Sequence, residues 1–536
     1  MFKQPYRALV LTVTIFTLAA CSTRAAENSV CSETVNTAYG PVIGVQQEET
    51  CAYLGIPYAA PPVGEKRWRR PAPPAAWSEP LAANEFGASC VQLGLLARDN
   101  QGKIKGAEDC LYLNIWKPRQ GRDLPVMVWI HGGGLMSGSG DSLLYSGDLL
   151  AGRHDVVVVT FNYRLGVFGF LAHEEFQKED PDGSVGGYGL MDQIAALEWV
   201  RNNIEEFGGD PDNVTIFGES AGGWSVCNLL ASPAAAGLFD RAIQESGGCN
   251  RTLTLAQGFA FGKEMAQELG CVADNAAACL RARSAQEIMR QAPWDGAGRN
   301  MPFKPHEDGY LLRKMPLDHI RDGDYNRVPY LAGSNRDEYK LFALLEPGMM
   351  KMSQEEYEAR VRKDHGQYAD EFLALYPASA FPSPGDAYIT KDADRNPVCG
   401  AHDVVNALAR HQKAIYYYRF DFDDIPLQET LGAFHGLEVP FVFGSVTRRP
   451  ISTILGRKNA KLAAPLSAAM MSYWTNFARS GDPNGPGLTP WPAYDVERKY
   501  RMVLDSGSIA VIQEPQEQFD RCELWDQYIR ATRDQE

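Results

Sequence analysis

Gly218-Glu219-Ser220-Ala221-Gly222 sets one serine hydroxyl on a turn built from small residues. Asn213 to Phe217 before it is apolar and β-branched, as in a strand, and Trp224 to Leu230 after it reads as a helix. A strand that feeds a helix through Gly-x-Ser-x-Gly lifts the serine at the C-terminal edge of a sheet, where a carbonyl carbon can reach it. Glycines on both sides let helix and strand approach without a Cβ clash. The chemistry such a serine suits is acyl transfer. That reaction asks for a base, a carboxylate to orient the base, and hydrogen-bond donors for the developing oxyanion.

Each part has a candidate. His131-Gly132-Gly133-Gly134 directly follows the apolar run Pro125 to Ile130, and its glycines offer backbone N–H groups with no side chain in the way. The N–H of Ala221, the residue after the serine, is the expected companion donor. Among nine histidines, His435 stands out, with a glycine after it in a loop that follows the strand-like Ile415 to Phe420. His131 belongs to the glycine loop, where its ring braces the turn. His154, His173, His306, His319, His365, His402 and His411 sit in polar or helical settings that suit surface or packing roles. The acid is expected between serine and histidine in chain order. Asp337 and Glu338, after Tyr330 to Ala332, both qualify, and an ordinary charged loop is the plain alternative.

The elements that must position these groups alternate. Leu111 to Trp116, Pro125 to Ile130, Val156 to Phe161, Tyr330 to Gly333 and Ile415 to Phe420 read as strands, and Gly189 to Phe207 as a helix. Alternation of this kind predicts a mostly parallel sheet covered on both faces. From about 340 to 412 the pattern is amphipathic helix, an excursion expected over the sheet's C-terminal edge. No linker divides residues 31–536, which are expected to form a single catalytic domain.

The net charge of −15 argues against a nucleic-acid partner. The one basic cluster, Lys66-Arg67-Trp68-Arg69-Arg70, is expected to be solvated or ion-paired. At the N-terminus, Lys3 and Arg7 precede an apolar stretch, Ala8 to Ala20, too short for a comfortable membrane span. It ends in Leu18-Ala19-Ala20-Cys21, which resembles a bacterial lipobox, so residues 1–21 are expected to be a leader with Cys21 lipidated and 22–30 a flexible tether. The alternative is a cut after Ala26, but that would put Arg24 where a small residue belongs. The location expected is periplasmic or outer-membrane-anchored, with secretion as the alternative.

Eleven cysteines in an exported chain suggest disulfides. Spacing suggests the pairs Cys31–Cys51, Cys90–Cys110, Cys271–Cys279 and Cys399–Cys522. Cys227 and Cys249 are left over and are expected as buried free thiols.

These motifs together resemble the type B carboxylesterases, the group that includes cholinesterases and bacterial para-nitrobenzyl esterases. The resemblance runs from about Tyr39 to Tyr528. It is carried by Leu54 to Ala59, Glu108 to Ile115, Asn162 to Gly166 and Phe217 to Gly223. It implies the α/β-hydrolase fold and selects Ser220, Glu338 and His435 as the triad. It also implies Gly133, Gly134 and Ala221 as oxyanion donors, with Glu219 and Ser246 behind them, and three of the cysteine pairs, 90–110, 271–279 and 399–522. The 90–110 loop contains no tryptophan, so recognition of a quaternary ammonium by that loop is not expected.

The function implied is hydrolysis of a small-molecule carboxylic ester through an acyl-enzyme on Ser220, with no metal and no organic cofactor. The alternatives are a binding protein on a hydrolase scaffold, or cleavage of a related acyl bond such as an amide, carbonate, thioester or lactone. Leu135, Met136, Trp224 and the region from Trp294 to Phe303 are candidates for the pocket wall, and Arg299 and Lys304 for contacts to an anionic ester. Oligomeric state is not encoded in any visible motif.

Overall fold

The computed structural model describes residues 30–533 apart from 95–100, 273–274, 294–302, 345 and 347. The leader, Cys21, most of the tether, Trp294 and Arg299 therefore lie outside the described residues.

Eleven strands form the main sheet. In chain order they are β1 (Val45–Gln47), β2 (Thr50–Pro57), β3 (Tyr112–Pro118), β4 (Leu124–Ile130), β5 (Val157–Phe161) and β6 (Gly209–Glu219). Then come β7 (Arg241–Glu245), β8 (Tyr330–Asn335), β9 (Ile415–Phe420), β10 (Tyr500–Leu504) and β11 (Ile509–Gln513). Side by side they run β11-β10-β9-β8-β7-β6-β4-β5-β3-β2-β1. From β5 across to β10 every neighbouring pair is parallel. The margins are antiparallel, β3, β2 and β1 on one side and β11 on the other.

Central strands of a parallel sheet are buried on both faces, and their sequences carry that pattern. Val126, Val128 and Ile130 of β4 face one core with Val157, Val159 and Ile216. Met127 and Trp129 of the same strand face the other, with Val158, Phe217, Ile243 and Leu331. Helix α1 (Tyr188–Asn203), followed by a 3-10 turn at Ile204–Phe207, covers the first face.

Between residues 340 and 412 the chain is helical. Helices α3 (Gln354–His365), α4 (Ala369–Leu375), α5 (Pro384–Ala393) and α6 (Cys399–Leu408) build a separate aromatic cluster around Tyr357, Phe372, Tyr376 and Trp525. Trp525 belongs to the terminal helix α8 (Gln516–Thr532), which Cys399–Cys522 ties to this region. Between them in sequence, α7 (Arg457–Ser480) covers the second face with Met470, Trp474 and Phe477. Among the described residues no helix is long and apolar enough to cross a membrane.

Among the described residues five disulfides are present: 31–51, 90–110, 227–249, 271–279 and 399–522. The third corrects the expectation that Cys227 and Cys249 are free. Helix α2 (Ala221–Ala231) packs back along β7, so Cys227 meets the residues leaving β7, with 5.5 Å between the two Cα atoms. The packing of a helix along the strand that follows it is a tertiary fact that cysteine spacing does not carry. The basic cluster is ion-paired: Arg67 with Glu108 at 2.5 Å, Arg69 with Glu179 at 3.2 Å and Arg70 with Asp180 at 2.5 Å.

Helix and sheet approach closely beside Ser220. A Cβ on Gly222 would fall 2.0 Å from the carbonyl oxygen of Ile130. Backbone on one side and sheet on the other leave nothing to give. Gly222→Ala is therefore expected to push α2 off β4 and to lower stability by about 1–3 kcal/mol, the usual range for overpacking, as read by guanidinium unfolding. Unchanged stability would mean the helix can shift freely.

Candidate active site

All the candidate groups stand at the C-terminal ends of parallel strands, where open α/β sheets present ligands with a crevice. Ser220 ends β6 and opens α2, with φ 58° and ψ −121°. A residue carrying a Cβ is held there only by its surroundings, at a cost of about 1–3 kcal/mol. Two hydrogen bonds hold it. The Ser220 N–H donates to Glu245 O at 2.9 Å, and Ser220 O accepts from the Trp224 N–H at 3.0 Å. The hydroxyl is left at the N-terminus of α2, where the helix dipole favours negative charge.

The glycine loop after β4 lies against this turn. Gly133 and Gly134 take φ of 105° and 65°, a region that residues carrying a Cβ rarely adopt. Gly133 O accepts from Met136 N–H and Ser137 N–H at 3.1 and 3.0 Å, closing the turn. A Cβ on Gly132 would sit 3.1 Å from Ser220 Cβ, so loop and serine are in contact. Among the described residues the N–H groups of Gly133, Gly134 and Ala221 donate in none of the loop and turn hydrogen bonds. His131 is fully buried, stacks on Tyr163 at 4.4 Å and donates from Nδ1 to Gly132 O at 2.8 Å. Burial lowers its pKa to about 4, so it is a neutral brace.

On the far side, His435 Nδ1 donates to Glu338 Oε2 at 2.5 Å. Glu338 has no exposed surface. Its other oxygen accepts from Asn335 N–H at 2.7 Å, and its carbonyl accepts from His435 N–H at 3.2 Å. The adjacent Asp337 points elsewhere, to Arg336 and Lys340 at 2.8 Å each, and accepts from Ala433 N–H at 3.0 Å. The two acids of the loop thus divide, one toward the imidazole and one toward surface cations. His435 Nε2 lies 3.1 Å from Glu219 Oε1, yet that oxygen has no hydrogen bond, so Glu219 attracts the ring without lying on its donor axis.

Behind the ring stands a cluster of buried acids. Glu438, three residues after His435, accepts from Ser246 Oγ at 3.2 Å and from Asn335 Nδ2 at 2.5 Å. Glu245 accepts from Trp474 Nε1 at 2.8 Å. Burial, only partly opposed by His435, pushes Glu219 up to about 7, and burial pushes Glu245 up to about 8. Burial and the neighbouring carboxylates hold Glu438 well above the usual range. For His435 burial works the other way, but the charges of Glu219, Glu338 and Glu438 prevail and raise its pKa above 6.5. Ser246, expected behind the triad candidates, reaches them only through Glu438. Glu438, Glu245, Asn335 and Trp474 were not expected. The signal for Glu438 was a lone charge inside the apolar run Leu437 to Val442.

Of the pocket-wall candidates, Leu135, Met136 and Phe303 are buried in the first core. Trp224 is half-buried, donates to Asn396 Oδ1 at 3.3 Å and carries the Arg251 guanidinium over its ring at 5.1 Å. Phe342 lies 5.4 Å from the His435 ring, between centroids. Among the described residues no group of three His, Cys, Asp or Glu side chains is placed to hold a metal ion.

Comparison with known proteins agrees with this geometry. A model described as "Carboxylesterase family" matches residues 31–525. The chain is 39% identical over 472 residues to a fumonisin B1 esterase of Sphingopyxis macrogoltabida, covering 86% of this chain and 84% of that one. It is 37% identical over 492 residues to a para-nitrobenzyl esterase of Bacillus subtilis, covering 88% and 94%. Among solved structures, a carboxylesterase of Geobacillus stearothermophilus, Est55, superposes with a TM-score of 0.80 at 37% identity, over 91% of this chain and 99% of that one. A PNB esterase structure gives 0.78 at 36%, over 92% and 100%. The alternative of a binding protein on the same scaffold is not favoured by these relatives. The chain has the α/β-hydrolase fold, belongs to the carboxylesterase family, and is a serine carboxylesterase.

Proposed function

We propose that Ser220 is the nucleophile of this esterase, His435 its general base and Glu338 the carboxylate that orients the base. The observation that carries this is the 2.5 Å hydrogen bond from His435 Nδ1 to a fully buried Glu338, which leaves Nε2 as the nitrogen on the side of the Ser220 turn. His435 takes the Ser220 proton as the oxygen attacks the ester carbonyl. The oxyanion that forms meets the N–H groups of Gly133, Gly134 and Ala221, each such donor being worth about 3–4 kcal/mol. The tetrahedral adduct collapses, His435 hands its proton to the departing alcohol, and the acyl group stays on Ser220. Water then repeats the sequence, and the carboxylic acid leaves. Glu338 keeps Nδ1 protonated throughout and stabilises the imidazolium.

The substrate is a small-molecule carboxylic ester. The two bacterial relatives are named for fumonisin B1 and para-nitrobenzyl esters, and an ester of comparable bulk is the reading they support here. Ser220→Ala is expected to lower kcat on a p-nitrophenyl short-chain ester by about 10,000-fold or more. It should also abolish covalent labelling by a fluorophosphonate. Retained labelling would assign the nucleophile elsewhere.

Only neutral His435 accepts a proton, and nearby carboxylates favour its cation. Activity is therefore expected to fall as pH drops through a pKa raised above 6.5. Glu219→Gln removes one of those charges. It should move the acidic limb of kcat/KM to lower pH by about one pH unit. A limb that stays in place or moves upward would reject His435 as the titrating base.

The leader reading belongs to this proposal. Leu18-Ala19-Ala20-Cys21 supports acylation of Cys21 and attachment to a bacterial membrane surface through lipid alone. Radiolabelled palmitate should enter the full-length chain and be lost in Cys21→Ser. Equal labelling of both would exclude the site.

A further inference from the structure

The loop that carries Gly133 and Gly134 is gripped at its return by the amide side chain of Gln92. Gln92 follows Cys90 by two residues, inside the segment closed by Cys90–Cys110. Its Nε2 donates to Gly138 O at 2.9 Å and to Cys90 O at 3.1 Å, while its Oε1 accepts from Gly138 N–H at 2.9 Å. One planar amide is thus matched edge to edge with one peptide residue, donor to acceptor in both directions. The grip is itself anchored, because Gln92–Leu93 pairs with Ile104–Lys105 as a short antiparallel ladder and Leu93 is buried.

Gly138 is where the glycine loop turns back on itself. A Cβ there would lie 2.5 Å from His131 Nδ1 and 2.6 Å from Gly132 O. Those two atoms are joined by the hydrogen bond that braces the start of the loop. Tyr163 adds a further hold, donating from its hydroxyl to His131 O at 2.8 Å. The return arm is fixed at Gly140, whose N–H donates to Asn162 Oδ1 at 2.7 Å and whose carbonyl accepts from Thr160 Oγ1 at 2.6 Å. Between these two anchors, Gln92 is the side chain that pairs with both backbone groups of Gly138. Gly138 is thus packed against the two atoms, His131 Nδ1 and Gly132 O, whose bond opens the loop.

We propose that Gln92 is a positioning residue for the oxyanion donors, acting through Gly138 and carried on the Cys90–Cys110 loop. The proposal rests on the assignment of Gly133, Gly134 and Ala221 as those donors. Its physical content is that donors shifted by a fraction of an ångström bind the ground-state ester as before but bind the tetrahedral oxyanion less well. A displacement of about 1 Å at a reacting centre can cost about 100-fold.

The test compares the wild type with Gln92→Ala and Gln92→Glu on a p-nitrophenyl ester and on a trifluoromethyl ketone, which forms a tetrahedral adduct with a serine. Gln92→Glu keeps the acceptor for Gly138 N–H and sets a second oxygen against Gly138 O, so it covers the case in which the alanine variant fails to fold. Each variant is expected to lose about 10- to 100-fold in kcat with KM within about twofold, and to lose ketone affinity by a similar factor. Unchanged kcat and ketone affinity in folded variants, or a loss confined to KM, would overturn the proposal. A wild type that neither binds the ketone nor labels at Ser220 with a fluorophosphonate would instead overturn the donor and nucleophile assignment beneath it.

Discussion

One imidazole faces a set of buried carboxyl groups, and much of the site follows from that imbalance. Glu338 bonds to His435, Glu219 lies beside its other nitrogen, and Glu438 stands behind both. If all were ionised, the ring would be held as a cation and could take no proton. Burial opposes this by driving Glu219, Glu245 and Glu438 toward the protonated form, while the charge that remains still raises the pKa of His435. The polar partners around them, Asn335, Ser246 and Trp474, are what such groups need once water is removed.

The sheet supplies the geometry for this. Ser220, Glu338, His435 and the glycine loop come from four strands, β6, β8, β9 and β4, and the parallel arrangement brings all four C-terminal ends to one edge. The Ser220 turn is strained and the helix behind it has no room to move away, since Gly222 already touches the strand that leads to the glycine loop. Strain at the serine and tight packing at the glycine are two sides of one arrangement. The hydroxyl stays raised because the backbone beneath it cannot relax.

Much of this was legible in the chain itself. The elbow is local, so five residues and their flanks announce it, and β9 runs from Ile415 to Phe420 as its residues suggest. The choice between Asp337 and Glu338 was not legible from the residues alone. Neighbouring side chains point in different directions, and only the fold decides which one meets the imidazole. Glu438 was visible as a charge in an apolar run, but its partner Ser246 lies 192 residues away in sequence. Cys227 and Cys249 failed for the same reason. Their adjacency comes from the way α2 packs back along β7, and nothing in the spacing of cysteines encodes it.

The Cys227–Cys249 bridge has a consequence should the chain be exported. Ten of the eleven cysteines are joined in pairs, so Cys21 has no counterpart within the chain. In an oxidising compartment a solitary sulfhydryl couples one molecule to the next. Transfer of a diacylglyceryl group would cap that sulfur as a thioether, and a cut after Ala26 would discard it. By either route the enzyme, if exported, ends without a free thiol able to crosslink it to its neighbours.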